Sequence, residues 1–257
     1  MTRTRRALLA CALVAASVGA AAPALAKGPP LAAEPISRLN LPWWAARHQA
    51  KLVEAKQGPV GLVWLGDSIT QQFESADYLP TWQRFYGDRH ALNLGFSGDA
   101  TSHLLWRIDH GEVAGITPRV AIILIGANNL GRLHWETADD ILGIEAVVAR
   151  TQAALPRTKI LLLGILPSDR GPWVLQTTAQ ANAALAERYG HGATPGVTFM
   201  DLSGLFMHGG VVDDSQFHDI HLTPPEPALH PSGPAQAQMA AAIEPTVAAL
   251  MGDRDHR

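Results

Sequence analysis

At 257 residues, 47% of them apolar and 17% charged, the chain is long enough to bury a sizeable core, which excludes a disordered or fibrous protein. Its 20 lysines and arginines stand against 23 aspartates and glutamates, and a formal charge of −3 offers no basic surplus for nucleic acid. One cysteine excludes an internal disulfide framework.

Residues 1–26 open with three arginines before position 7, continue through an uncharged Ala/Leu/Val run and close on Ala24-Leu25-Ala26, a small-x-small pattern. This predicts a cleaved export signal, hence a periplasmic or secreted protein, rather than a membrane anchor, for which the Ala-rich run with Pro23 near its end is too weak. Leu8-Leu9-Ala10-Cys11 has the look of a lipobox, but it follows Arg6 too closely to leave a full apolar run before it. Cleavage would remove Cys11 and three arginines, leaving a more acidic chain with no thiol, so any nucleophile must be an oxygen.

The lead, residues 27–57, is rich in Pro and Ala and then takes on helical composition over 42–56. There Trp43, Trp44, Arg47, His48 and Lys51 spread over both faces, as for a helix packed on the domain that follows. From residue 58 to 252, short apolar runs at 60–65, 91–95, 120–125, 160–165 and 197–202 recur at intervals of 29 to 40 residues. Helix-like segments separate them, clearest at 136–155 and 174–189, with a terminal one at 231–251. Buried strands alternating with helices predict parallel βαβ units and a doubly wound sheet covered on both faces. In such sheets the chemistry gathers beyond the carboxyl ends of the strands.

The first strand ends in Leu65-Gly66-Asp67-Ser68-Ile69-Thr70. Ser68 at this turn suits a nucleophile, although capping the next helix is the commoner task of a serine there. A phosphate cradle lacks its Gly-x-x-x-x-Gly-Lys pattern. The second strand ends in Leu94-Gly95-Phe96-Ser97-Gly98-Asp99, whose Gly98 N–H is an oxyanion donor in waiting, and the third in Ile125-Gly126-Ala127-Asn128-Asn129. Three neighbouring strands thus deliver a hydroxyl and N–H donors to one rim, as acyl transfer requires. Histidines come late: His218, Asp219 and His221 in a His/Pro-rich loop over 208–234, and His230-Pro231-Ser232 ahead of the last helix.

Gly66-Asp67-Ser68, Gly98, Asn128 and a histidine before the closing helix resemble the four blocks of the SGNH (GDSL) hydrolase superfamily. Leu94 to Thr101, Leu105-Trp106-Arg107, Gly111-Glu112 and Gly126-Ala127-Asn128-Asn129 look most like its branch of platelet-activating-factor acetylhydrolase Ib catalytic subunits and their bacterial relatives. The resemblance implies a flavodoxin-like three-layer α/β/α sandwich with a five-stranded parallel sheet. It further implies a serine esterase of short acyl groups, probing a lipid, sugar or glycan ester, with no cofactor or metal. Ser68 would be the nucleophile, its own N–H, Gly98 N–H and the Asn128 amide the oxyanion hole, and His230 the general base.

The family's last block carries an acid three residues before the base, whereas Pro227 precedes His230 and His218 precedes His221 at that spacing. His230 is the first choice, since the run through Gln236, Met239 and Ile243 resembles the family's closing helix. His221 stays open because Ile220-His221-Leu222-Thr223 resembles the acetylhydrolase form of the block. Asp219, Glu226 or Asp214 would supply the orienting acid, Asp219 first. A metal site at His218, Asp219 and His221 lacks a fourth ligand and a helical His-Glu-x-x-His pattern. Of the tryptophans, Trp64, Trp82 and Trp106 read as packing, Trp135 and Trp173 as candidates to touch substrate. A thioesterase or lysophospholipase with a longer acyl pocket, and a non-catalytic carbohydrate- or lipid-binding relative, are the rival functions.

Overall fold

A computed structural model describes residues 30–257. The expected export signal at 1–26 lies outside the described residues. Helix α1 (Pro42–Glu54) leads to β1 (Leu62–Gly66), α2 (Ser68–Gln71), α3 (Leu79–Tyr86), β2 (Ala91–Gly95), α4 (Thr101–Asp109) and β3 (Val120–Leu124). Then follow α5 (Ala127–Gly131), α6 (Thr137–Ala154), β4 (Lys159–Leu163), α7 (Pro172–Tyr189), β5 (Val197–Met200) and α8 (Gly233–Met251). The five strands form one parallel sheet in the order β2-β1-β3-β4-β5, and the expected three-layer α/β/α architecture is what is found. No helix among the described residues is long and apolar enough to cross a membrane.

Alternation within the strands builds two cores. Val63, Leu65, Leu92, Leu94 and Ile123 face one side, where they meet Leu104 and Leu105 of α4, Val147 of α6 and Ala181 and Leu185 of α7. Leu62, Trp64, Val120, Ile122 and Leu161 face the other, against Phe85 of α3 and Met239, Ile243 and Val247 of α8. Each strand is apolar on both faces because helices cover both, which is why the runs read as continuous rather than alternating. β1 pairs in register with both neighbours, Gly66 lying beside Gly95 of β2 and Leu124 of β3. The three loops carrying Ser68, Gly98 and Asn128 therefore leave the sheet at one level.

In α1, Trp44, His48 and Lys51 form one buried i, i+4, i+7 stripe, while Trp43 on another face is exposed. The 208–234 loop is tied by a two-stranded hairpin, β6 (Met207–His208) with β7 (Val211–Val212), and by short 3₁₀ turns.

Ile122 sits fully buried in central β3 with helix layers on both sides. Ile122→Ala is expected to lower unfolding free energy in urea by about 2–5 kcal/mol, and a loss below about 1 kcal/mol would contradict the packing described.

Candidate active site

The site begins at the end of β1. Asp67, not Ser68, caps α2: its side chain accepts the Ile69 N–H at 3.0 Å, so the capping role weighed for Ser68 falls to its neighbour. Ser68 is the first helical residue, half-buried, with its hydroxyl free for another partner. The turn sits close on β2 because position 95 is glycine. A Cβ there would stand 2.3 Å from the Gln71 nitrogen, well inside contact distance. From the far side, Gln236 of α8 donates its amide to Ile69 O at 2.7 Å and anchors the same turn.

The Ser68 hydroxyl lies 2.9 Å from His230 Nε2. His230 Nδ1 lies 2.6 Å from Asp219 Oδ1, so the Nδ1 proton faces the carboxylate and Nε2 is left as the acceptor for Ser68. Asp219 is buried, and its other oxygen accepts the backbone N–H groups of Leu229 and His230. Burial pushes its carboxyl up, but the hydrogen bonds from His230, side chain and backbone, outweigh it and hold the group below the ordinary carboxylate range. The loop is fixed on both flanks: the His218 N–H donates to His230 O, Tyr78 Oη donates to Pro231 O, and Ser232 Oγ caps α8.

Of the alternatives, His221 is exposed and makes no side-chain hydrogen bond among the described residues, and Asp214 and Glu226 are exposed as well. Asp219 reaches His230 from eleven residues upstream, not three. Trp173 is exposed at the start of α7 with His134 beside it, their ring centroids 5.8 Å apart, while Trp135 is half-buried.

No acceptor among the described residues engages the N–H groups of Ser68 or Gly98. Gly98 has φ +71°, the left-handed region that glycine enters freely. Its amide belongs to the same peptide unit as Ser97 O, which accepts from Arg38 Nη1 at 2.9 Å, so Arg38 orients that N–H. The Asn128 amide donates to Asp99 O at 3.0 Å, which fixes its plane, and its nitrogen stands 3.5 Å from Asp67 Oδ2. One of its two hydrogens is thus committed to the protein, which sequence alone did not indicate.

Beneath these loops lies an ionic network. Arg107 donates to Asp99 Oδ2 (2.8 Å), Glu112 Oε2 (2.5 Å), Leu94 O and Gly66 O, with its guanidinium 4.0 Å from the Phe96 ring centroid. The lead supplies the rest: Arg38 and Trp44 bond Asp99 Oδ1, His48 Nδ1 bonds Glu112, and Arg47 donates to Gly95 O. Sequence reasoning took the lead as packing and missed these contacts. Arg107 and Glu112 were visible only as part of a resemblance.

Asp67 differs from Asp219 in having one backbone donor. Full burial raises it to about 6, the Ile69 N–H and His230 opposing that only in part. Its folded value lies above its ordinary 3.8, so between about pH 4 and 6 the folded protein holds a proton that the unfolded chain has released, and this contribution to stability is lost as pH rises through that window. Asp67→Asn is expected to abolish that component of the pH dependence of urea unfolding. An unchanged slope between pH 4 and 6 would contradict the assignment.

Residues 64–235 match the GDSL-like lipase/acylhydrolase family. The chain is 33% identical over 184 residues to platelet-activating factor acetylhydrolase IB subunit alpha2 of Rattus norvegicus, covering 70% of this chain and 76% of that protein. Among solved structures, a GDSL-like lipase from Bacteroides thetaiotaomicron superposes with a TM-score of 0.61 at 17% identity, over 79% of this chain and 97% of the other. A carbohydrate esterase family 3 protein from Talaromyces cellulolyticus gives 0.58 at 19% identity, over 76% and 99%. At such identities the superpositions speak for the fold.

Proposed function

The chain belongs to the GDSL-like lipase/acylhydrolase family, and from that premise we propose that it is an exported serine esterase removing short acyl groups, acetyl foremost, from a lipid, sugar or glycan alcohol. The observation that carries this reading is the unbroken chain Ser68 Oγ, His230 Nε2, His230 Nδ1, Asp219, with steps of 2.9 and 2.6 Å.

His230 Nε2 takes the proton as Ser68 Oγ attacks the ester carbonyl. Asp219 keeps the Nδ1–H tautomer and stabilises the imidazolium without accepting its proton. The developing oxyanion is met by the N–H groups of Ser68 and Gly98 and by the Asn128 amide, fixed dipoles that need no reorganisation at the moment of reaction. Collapse expels the alcohol, protonated by His230, and leaves an acyl-serine. Water activated by the same histidine then releases the acid. No step calls on a metal.

The short acyl preference draws support from the acetylhydrolase named among the similar proteins. Export draws support from the arginines, apolar run and Ala24-Leu25-Ala26 of the first 26 residues. Against a non-catalytic relative stands Asp219, which contacts His230 although no acid lies three residues before that histidine.

The purified protein is expected to hydrolyse p-nitrophenyl acetate faster than the butyryl and octanoyl esters, and Ser68→Ala to lose at least about 10⁴-fold in kcat. Asp219→Asn, which offers His230 the wrong tautomer, is expected to cost about 10⁴-fold. Equal rates for wild type and Ser68→Ala would refute the reading, and an octanoyl preference would replace acetyl with a longer acyl group.

A further inference from the structure

Gly98 also lines a cleft of about 250 Å³, whose other walls include Arg38, Asn40, His103 and Arg132. No carboxylate lines it. Asp99 lies behind Arg38 with a fully buried side chain, its oxygens already taken by Arg38, Trp44 and Arg107. Within the network behind the cleft, the charges of Arg38 and Arg107 are balanced by those of Asp99 and Glu112. Arg132 is the surplus: it is exposed, has no acidic partner within 4.0 Å among the described residues, and makes one long hydrogen bond, 3.4 Å to Gly98 O.

His103 adds a neutral donor. Its Nδ1 accepts the Ala100 N–H at 2.9 Å, which puts the ring proton on Nε2. Burial, with Arg38, Arg107 and Arg132 nearby, pushes the ring down to about 3, so it stays uncharged at neutral pH. Arg132 also lies directly on the oxyanion-donor residue, since a Cβ on Gly98 would stand 2.3 Å from its Nη1. A group held by Arg132 is therefore one residue's width from the Gly98 amide.

We infer that this cleft binds an anionic group, a carboxylate or a phosphate, on the alcohol portion of the ester substrate, with Arg132 as its principal ligand and Arg38 and His103 Nε2–H as further donors. The inference rests on the esterase reading of Ser68, since a short acyl group leaves only the alcohol to carry the charge. Guanidinium suits both anions because its paired N–H groups match two oxygens at once, and a charge-assisted pair exceeds a neutral one.

The test compares kcat/KM for two pairs of acetate esters: acetylated methyl glucuronoside against acetylated methyl glucoside, and acetylglycerol phosphate against acetylglycerol. At low salt the anionic member of at least one pair should be favoured about tenfold or more. That ratio should fall towards one in Arg132→Gln, be partly kept in Arg132→Lys, and shrink as salt is raised. The pair that shows the preference identifies carboxylate or phosphate as the source. Ratios near one for both pairs in the wild type, or a ratio that Arg132→Gln leaves intact, would overturn the inference while Ser68-dependent hydrolysis of the neutral esters upheld the esterase. If no ester were hydrolysed, calorimetry with inorganic phosphate and methyl glucuronoside would decide the cleft alone. Saturable binding lost in Arg132→Gln would support it, and no binding would overturn it.

Discussion

The arrangement depends on Arg107. Its fully buried guanidinium gathers carbonyls at the ends of two adjacent strands, the last of β1, Gly66 O, and the penultimate of β2, Leu94 O, and holds them against Asp99 and Glu112. Gly66 is two residues before Ser68, and Asp99 immediately follows Gly98, so one side chain sets the spacing between Ser68 and Gly98. Taking such charges out of water costs several kcal/mol per ion, and the attraction between them repays this only if every partner is in place. Burial works against the charge on Arg107, but Glu112 and Asp99 more than offset it. Asp99 is raised by burial, which Arg107, Trp44 and Arg38 oppose without overcoming. The network is thus one in which removing a single member strands an ion, a geometry suited to rigidity rather than to surplus stability.

Two carboxyl groups near one histidine show how environment divides labour. Asp219 receives two backbone N–H groups and the His230 ring proton and is held ionised, while Asp67, with the Ile69 N–H and a distant Asn128 amide, is pushed upward. Only the first touches the ring. Asp67 shapes the turn instead, fixing Ser68 as a helical residue with its hydroxyl directed at His230 and its amide unpaired.

How much of this was legible in the sequence follows from the range of each interaction. Strand ends declare themselves locally, by apolar runs that stop at Gly, so the rim bearing Ser68, Gly98 and Asn128 could be read before any contact was known. His230 could be reached through the His-Pro step before a long apolar helix. Asp219 could be named but not placed, because its contact depends on the turns and hairpin folding residues 208–234. Arg38, Trp44 and Arg47 could not be found at all: they act across 48 to 61 positions on residues of the β2 loop, and no local pattern encodes that pairing. Nor could the Asp67 cap be distinguished from a Ser68 cap, since both residue types perform that role.

The proposed reaction passes through a Ser68 that His230 deprotonates and the ester acylates covalently. A fluorophosphonate, which forms a stable adduct only with an activated serine, tests it most directly when intact-protein mass spectrometry is followed by peptide mapping. One adduct per chain is expected, on Ser68, forming far more slowly in His230→Ala. No adduct on the folded wild-type protein, or one adduct on another residue, would contradict it.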